Sequence, residues 1–180
     1  MREKILLIVG ASGSGKTSVV EKLEEQYGLK SVCSYTTREK RNEDEYGHIF
    51  VTNEEFNRLS LVGFSEYGGN RYGATAEQIE ESDLWVVDMP GVEYFKSTYT
   101  GGKKPIVIHL VTSMDEHEDF NERYERMLER GDGAEKAGFR TALDKIEFGG
   151  IDDISDYKVA NERGKLEETC KKIMDIFTGE

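Results

Sequence analysis

Gly10-Ala11-Ser12-Gly13-Ser14-Gly15-Lys16-Thr17 fits the pattern G-x-x-x-x-G-K-[ST] at every fixed position. Small residues let successive backbone N–H groups turn inward on phosphate oxygens, and a helix starting at the end of the loop adds partial positive charge. In such a loop Lys16 reaches the β- and γ-phosphates, and Thr17 offers its hydroxyl to Mg²⁺. Asp88 follows the apolar run Trp85-Val86-Val87, and a carboxylate at a buried strand end is suited to hold that metal's water shell. The loop binds a nucleoside triphosphate and leaves GTPase, ATPase and kinase chemistry open.

A second cluster narrows the choice. Ser34-Tyr35-Thr36-Thr37-Arg38-Glu39-Lys40-Arg41 sets two guanidiniums three residues apart beside hydroxyls, a grip for a second phosphate through charge-assisted, often bidentate, bonds. Tyr72 can add a phenolic donor. In a chain of net charge −12, the cluster of Arg38, Lys40, Arg41 and Arg71 stands out, although a solvated charged face is the plainer alternative.

These residues need elements to position them. Ile5-Leu6-Leu7-Ile8-Val9 runs into the glycine-rich turn, and Val19, Val20 and Leu23 follow at helical spacing, so strand, loop and helix succeed one another, with Gly28 ending the helix. Leu84 to Val87 and Ile106 to Ile108 read as parallel strands covered on both faces. Three capping-box pairs predict helix starts: Thr52 with Glu55, Thr75 with Gln78, and Ser113 with Glu116. Downstream, Phe120, Tyr124, Met127 and Leu128 predict one buried helical face, Phe139, Leu143 and Ile146 a second, and Leu166, Cys170, Ile173 and Phe177 a third. Between Ser31 and Gly73, short β-like pieces (Val32 to Thr36, His48 to Thr52) read as an inserted substrate lobe.

With 180 residues and only Pro90 and Pro105 to break the chain, one domain is expected. The excess of 36 acidic over 24 basic residues argues against nucleic acid or an anionic membrane as partner. No apolar run approaches the ~20 residues of a membrane span. The N-terminus lacks the pattern of a signal peptide, which points to the cytoplasm. Cys33 and Cys170 form no paired spacing and read as reduced thiols.

Taken in order, Ser34-Tyr35-Thr36-Thr37-Arg38, Arg41, Gly47, Phe50-Val51, Glu66, Gly69-Asn70-Arg71-Tyr72-Gly73 and Asp88-Met89-Pro90-Gly91-Val92 resemble the signature of guanylate kinases, a family of P-loop nucleoside monophosphate kinases. Arg126, Arg130 and Arg140 resemble its lid arginines, and Val159-Ala160-Asn161 the strand leading to the adenine contact. The resemblance implies an α/β fold: a P-loop kinase core with a parallel sheet flanked by helices (1–31, 74–125 and 150–180), an inserted small mixed-β NMP-binding lobe (32–73) and a helical lid (126–149). It implies Mg²⁺-dependent transfer of the γ-phosphoryl of ATP to GMP or dGMP, giving ADP and GDP, by a monomer or homodimer. Lys16, Arg38, Arg130 and Arg140 would act on the moving charge. Residues 10–17 with Arg126, Arg130 and Asn161 would hold ATP. Ser34, Arg38, Arg41, Glu66, Tyr72 and Asp88 would hold GMP, with Glu66 accepting from guanine N1–H and its amine, and Thr17 and Asp88 would serve the metal.

Three departures bear on selectivity and rate. Ala74 stands where a small hydroxyl residue usually helps bind the base, the segment between Gly47 and Phe50 is short and leaves His48 near the place of a phosphate-binding tyrosine, and Val86 replaces an additional aspartate. His48 reads as a surface histidine. The alternatives are a kinase for another small phosphate acceptor and a non-catalytic guanylate-kinase-like module that binds phosphorylated peptides.

Overall fold

A computed structural model describes residues 3–40, 43, 45 and 47–179. Ile5 to Val9 have no exposed surface, which is why an uninterrupted apolar run forms the central strand β1 (Lys4–Val9). Helix α1 (Lys16–Tyr27) buries Val19, Val20 and Leu23 and stops at Gly28, whose φ of 62° is the left-handed cap that glycine supplies without strain. There follow β2 (Ser34–Thr36), β3 (His48–Phe50), α2 (Asn53–Phe56), β4 (Leu61–Tyr67), β5 (Asn70–Thr75), α3 (Ala76–Glu80), β6 (Leu84–Val86) and α4 (Met89–Thr98). The chain continues with β7 (Lys104–Val111), α5 (Glu116–Glu129), α6 (Ala134–Glu147), α7 (Ile151–Ile154), β8 (Tyr157–Ala160) and α8 (Leu166–Thr178). A parallel four-stranded sheet has the order β6-β1-β7-β8, and a separate mixed sheet the order β3-β2-β5-β4, so the expected α/β core and small mixed-β lobe are both present.

The chain divides into two compact units, Met1–Leu7 with Leu29–Pro105 and Ile8–Gly28 with Ile106–Glu180. In the first, β2 pairs parallel with β3 and antiparallel with β5, and β4 pairs antiparallel with β5. Thr52 and Thr75 cap α2 and α3 in complete capping boxes, as the sequence spacing predicts. Asp88 caps α4, its Oδ1 accepting the Gly91 N–H at 2.9 Å.

In the second unit α8 buries Cys170, Ile173 and Phe177, with Leu166 only half-buried. Burial pushes the Cys170 thiol up to about 11, so it stays protonated as a small apolar side chain. Three expectations change here. The residue capping α5 is Asp115, whose Oδ1 accepts from His117 N at 3.0 Å and Glu118 N at 2.9 Å, while Ser113 accepts from Asp115 N at 3.1 Å. Arg123 and Met127 are the buried residues of α5, whereas Phe120 and Leu128 are exposed. Helix α6 buries Ala137, Thr141 and Asp144 and leaves Phe139 and Ile146 exposed. Beside the buried Met127 and Ala137, Arg123 and Asp144 turn inward because Ser12 of the phosphate loop offers them hydrogen-bond partners.

The capping correction is testable by equilibrium urea unfolding. Asp115→Ala should lower stability by about 1 kcal/mol, and Ser113→Ala by clearly less; the reverse order would contradict the assignment.

Candidate active site

The phosphate loop spans the turn between β1 and α1. Gly13 has φ 83°, and a Cβ there would stand 2.6 Å from the Arg123 carbonyl oxygen in α5; Gly15 has φ 92°, and its Cβ would stand 2.2 Å from Asn161 Nδ2. Glycine is required twice over at both positions, by backbone conformation and by neighbours. Asn161, buried at the end of β8, donates from Nδ2 to Ser14 O at 3.0 Å, so this residue, expected at the adenine, shapes the loop itself.

Lys16 Nζ donates to Gly10 O at 2.5 Å and Ala11 O at 3.1 Å. Burial of the ammonium pulls its pKa down to about 8; Asp144 counteracts this, while Arg140, Arg123 and Arg130 add to it. Thr17 is exposed at the start of α1. The expected lid arginines carry their own partners. Arg130 pairs with Asp132, Arg140 approaches the same carboxylate at 3.6 Å and Lys136 at 3.0 Å. Arg126 donates from Nη2 to Asn161 O at 2.9 Å and from Nε to Glu122 at 2.7 Å. Sequence reasoning missed Arg123 and Asp144, which are buried against the loop. Their signal was present as an arginine between Phe120 and Met127 with Asp119 four residues earlier, and as an aspartate three residues after Thr141.

In the first unit, register sorts the residues expected at the acceptor by sheet face, because paired residues share a face and neighbours along a strand alternate. Ser34 pairs with His48, Thr36 with Phe50 and with Tyr72, and Tyr72 with Ser65, so Ser34, His48 and Tyr72 stand on one face. Ser34 Oγ is 3.0 Å from His48 Nδ1, and the His48 and Tyr72 rings are 5.8 Å apart. His48, half-buried, thus shares a face and contacts with Ser34 and Tyr72. The start of α4 meets this face, since a Cβ on Gly91 would lie 3.7 Å from the Ser65 Cβ and 2.9 Å from Asp88 Oδ1.

Arg38 donates from Nη2 to Glu45 Oε1 at 2.7 Å and lies over the Phe50 ring at 5.4 Å. The Glu45 hydrogen bond, with Tyr72 adding to it, holds this guanidinium above its ordinary pKa.

Two expected members stand elsewhere. Glu66 pairs with Arg71 on the opposite face, so the structure does not bring it to Ser34 and Tyr72. Arg71 itself stacks on Phe56 at 4.3 Å and donates to Asn57 Oδ1 at 2.7 Å, which spends it on anchoring α2. Ala74 is wholly buried. Arg41 lies outside the described residues. Among the described residues, the buried side-chain polar atoms without a hydrogen-bond partner are Ser14 Oγ and Arg38 Nε, one in the phosphate loop and one just after β2.

The sequence profile of the guanylate kinase family matches residues 2–180. The chain belongs to the guanylate kinase family. It is 32% identical over 199 aligned positions to the guanylate kinase of Clostridium acetobutylicum, covering all of this chain and 88% of that one. Its fold is similar to the crystal structure of guanylate kinase from Anaplasma phagocytophilum (TM-score 0.61, 22% identity, 99% of this chain and 87% of that one). It is also similar to shikimate kinase from Acinetobacter baumannii (TM-score 0.53, 15% identity, 98% and 95%).

The Lys16 environment gives a pH dependence. Its pKa is lowered to about 8, so the ammonium is charged below that pH and neutral above it. Affinity for a non-hydrolysable ATP analogue should fall as pH rises through about 8, as the ammonium loses its proton. A flat calorimetric profile from pH 7 to 9 would show that Lys16 does not serve the nucleotide.

Proposed function

We propose that the protein is an ATP:GMP phosphotransferase, giving ADP and GDP. The observation that carries this reading is the occurrence, in a chain of the guanylate kinase family, of two separate phosphate grips: the loop of residues 10–17 and the Arg38 cluster. Each contains a buried polar atom with no partner, which is unusual in a folded protein and suits a site awaiting a ligand. A hydrolase needs only the first grip.

The chemistry required of the protein is small. Phosphoryl transfer proceeds through a loose transition state whose charge lies on phosphate oxygens, so catalysis is positioning plus electrostatic stabilisation and no catalytic base is needed. Loop amides and Lys16 hold the donor phosphates, with Arg130 and Arg140 available to the migrating group once they leave Asp132. Arg38 takes the acceptor phosphate through bidentate, charge-assisted bonds in exchange for those it makes to Glu45, and Tyr72 adds its phenol. Ser34 offers a hydroxyl donor to the guanine O6, and Asp88 orders the start of α4 on the same face.

Mg²⁺ would neutralise charge on the β- and γ-phosphate oxygens. The residues fit an ion that arrives with the nucleotide. Thr17 presents one exposed hydroxyl, and among the described residues no group of three or more His, Cys, Asp or Glu is placed to hold a metal alone, so phosphate and water would complete the shell. Among the described residues no helix is long and apolar enough to cross a membrane.

A coupled ADP-release assay tests the reading. GMP should be phosphorylated and AMP used very poorly. Lys16→Ala should abolish transfer while leaving GMP binding largely intact. Arg38→Ala should raise the KM for GMP by about tenfold or more, the loss of one charge-assisted phosphate contact. Glu66→Gln, on the other face of the lobe, should change it by less than about twofold, since no ligand contact is removed. Equal use of AMP and GMP, or unaltered GMP kinetics in Arg38→Ala, would contradict the acceptor assignment.

A further inference from the structure

Asp144 is a carboxylate that the transfer chemistry does not call for. It lies in α6 and is 3% exposed. Its Oδ2 accepts the Ser12 backbone N–H at 2.9 Å, and its Oδ1 accepts the Ser12 hydroxyl at 3.3 Å. Arg123, 8% exposed in α5, closes the arrangement: Nη1 donates to Asp144 Oδ2 and to Ser12 O, both at 3.2 Å. Its Nε donates to Asp119 Oδ2 at 2.7 Å, and Asp119 Oδ1 accepts the Thr112 N–H at 2.6 Å. Ser12 is thus held at amide, hydroxyl and carbonyl by two side chains anchored outside the loop.

A loop amide of this kind is a donor shaped for an anionic oxygen. Here the anionic oxygen belongs to the protein. We propose that Asp144 is a resident anion on the phosphate loop, competing with a nucleoside triphosphate for the Ser12 N–H, and that Asp144 with Arg123 sets the affinity for the phosphoryl donor. The inference rests on reading residues 10–17 as the ATP site.

Phosphate oxygens take over both the Ser12 N–H and the Ser12 hydroxyl from Asp144, while Asp144 retains Arg123 and Arg123 retains Asp119, so neither buried charge is left unpaired. Carboxylate and phosphate repel if both remain on the loop, which is why bound donor and docked Asp144 exclude one another. Asp144 and Arg123 are positioning residues, since each acts through Ser12. Asp144 also faces Lys16, together with Arg140, Arg123 and Arg130; as the anion of that group it keeps the lysine charged to higher pH.

Calorimetric titration with a non-hydrolysable ATP analogue separates the outcomes. At pH 6.5, below the wild-type Lys16 value of about 8, Asp144→Asn should bind about tenfold more tightly, because the amide side chain keeps the Ser12 contact without the competing charge. The alkaline loss of affinity should begin at lower pH in that variant, and the KM for GMP should not change. A purely structural role would move neither the donor affinity upward nor the pH profile. Equal or weaker binding by Asp144→Asn with an unchanged circular dichroism melt would overturn the inference, whereas no binding by wild type would overturn the reading of the loop. Should the variant fail to fold, the wild-type protein suffices: inorganic pyrophosphate should accelerate amide exchange across residues 134–147 as Asp144 is displaced, and unchanged or slower exchange would count against it.

Discussion

Positive charge held in place by the protein's own carboxylates is the interaction on which the rest of the structure depends. The chain carries a net charge of −12, yet its function demands guanidiniums, an ammonium and backbone amides clustered tightly enough to grip phosphate. Each cluster is stabilised from within. Asp144 sits on the phosphate loop, Asp132 holds Arg130 and Arg140, and Glu45 holds Arg38. An arginine cluster left unpaired would repel itself. Paired in this way, each guanidinium has a charge-assisted partner within the folded chain.

This explains why the helices around the loop look unconventional. An amphipathic helix ordinarily turns its apolar stripe to the core. In α5 and α6 the inward stripe includes Arg123, Thr141 and Asp144, and Phe139 and Ile146 point outward. The helices cover a polar loop whose Ser12 amide and carbonyl take their partners from Asp144 and Arg123, and a buried backbone group left without a partner is costly. The glycines complete the fit, since α5 backbone at Arg123 and the Asn161 amide stand where side chains at positions 13 and 15 would be.

Local chemistry was legible in the sequence wherever one residue's conformation decides the outcome. The left-handed cap at Gly28, the capping boxes at Thr52 and Thr75, and the strand of five buried residues before the loop are all local consequences of residue type. Legibility ended where two distant segments meet. Ser113 and Asp115 both suit a cap, and only the path of the chain chooses between them. The face occupied by Glu66 depends on the β4–β5 register, in which a shift of one residue would exchange the faces. The Arg123–Asp144 contact joins residues 21 apart, and Ser12 and Asp144 are 132 apart, beyond any spacing rule. Arg71 looked like a phosphate ligand by charge alone and is instead the anchor of α2.

The central claim is that the two grips serve two nucleotides and that the phosphoryl group passes to an acceptor, not to water. The fate of label from ATP carrying radioactive phosphorus at the γ position measures this directly. With GMP present, label should appear in GDP in the same amount as ADP is formed, and release of labelled inorganic phosphate should be negligible with or without GMP. Label accumulating as inorganic phosphate at a rate independent of GMP would contradict the account.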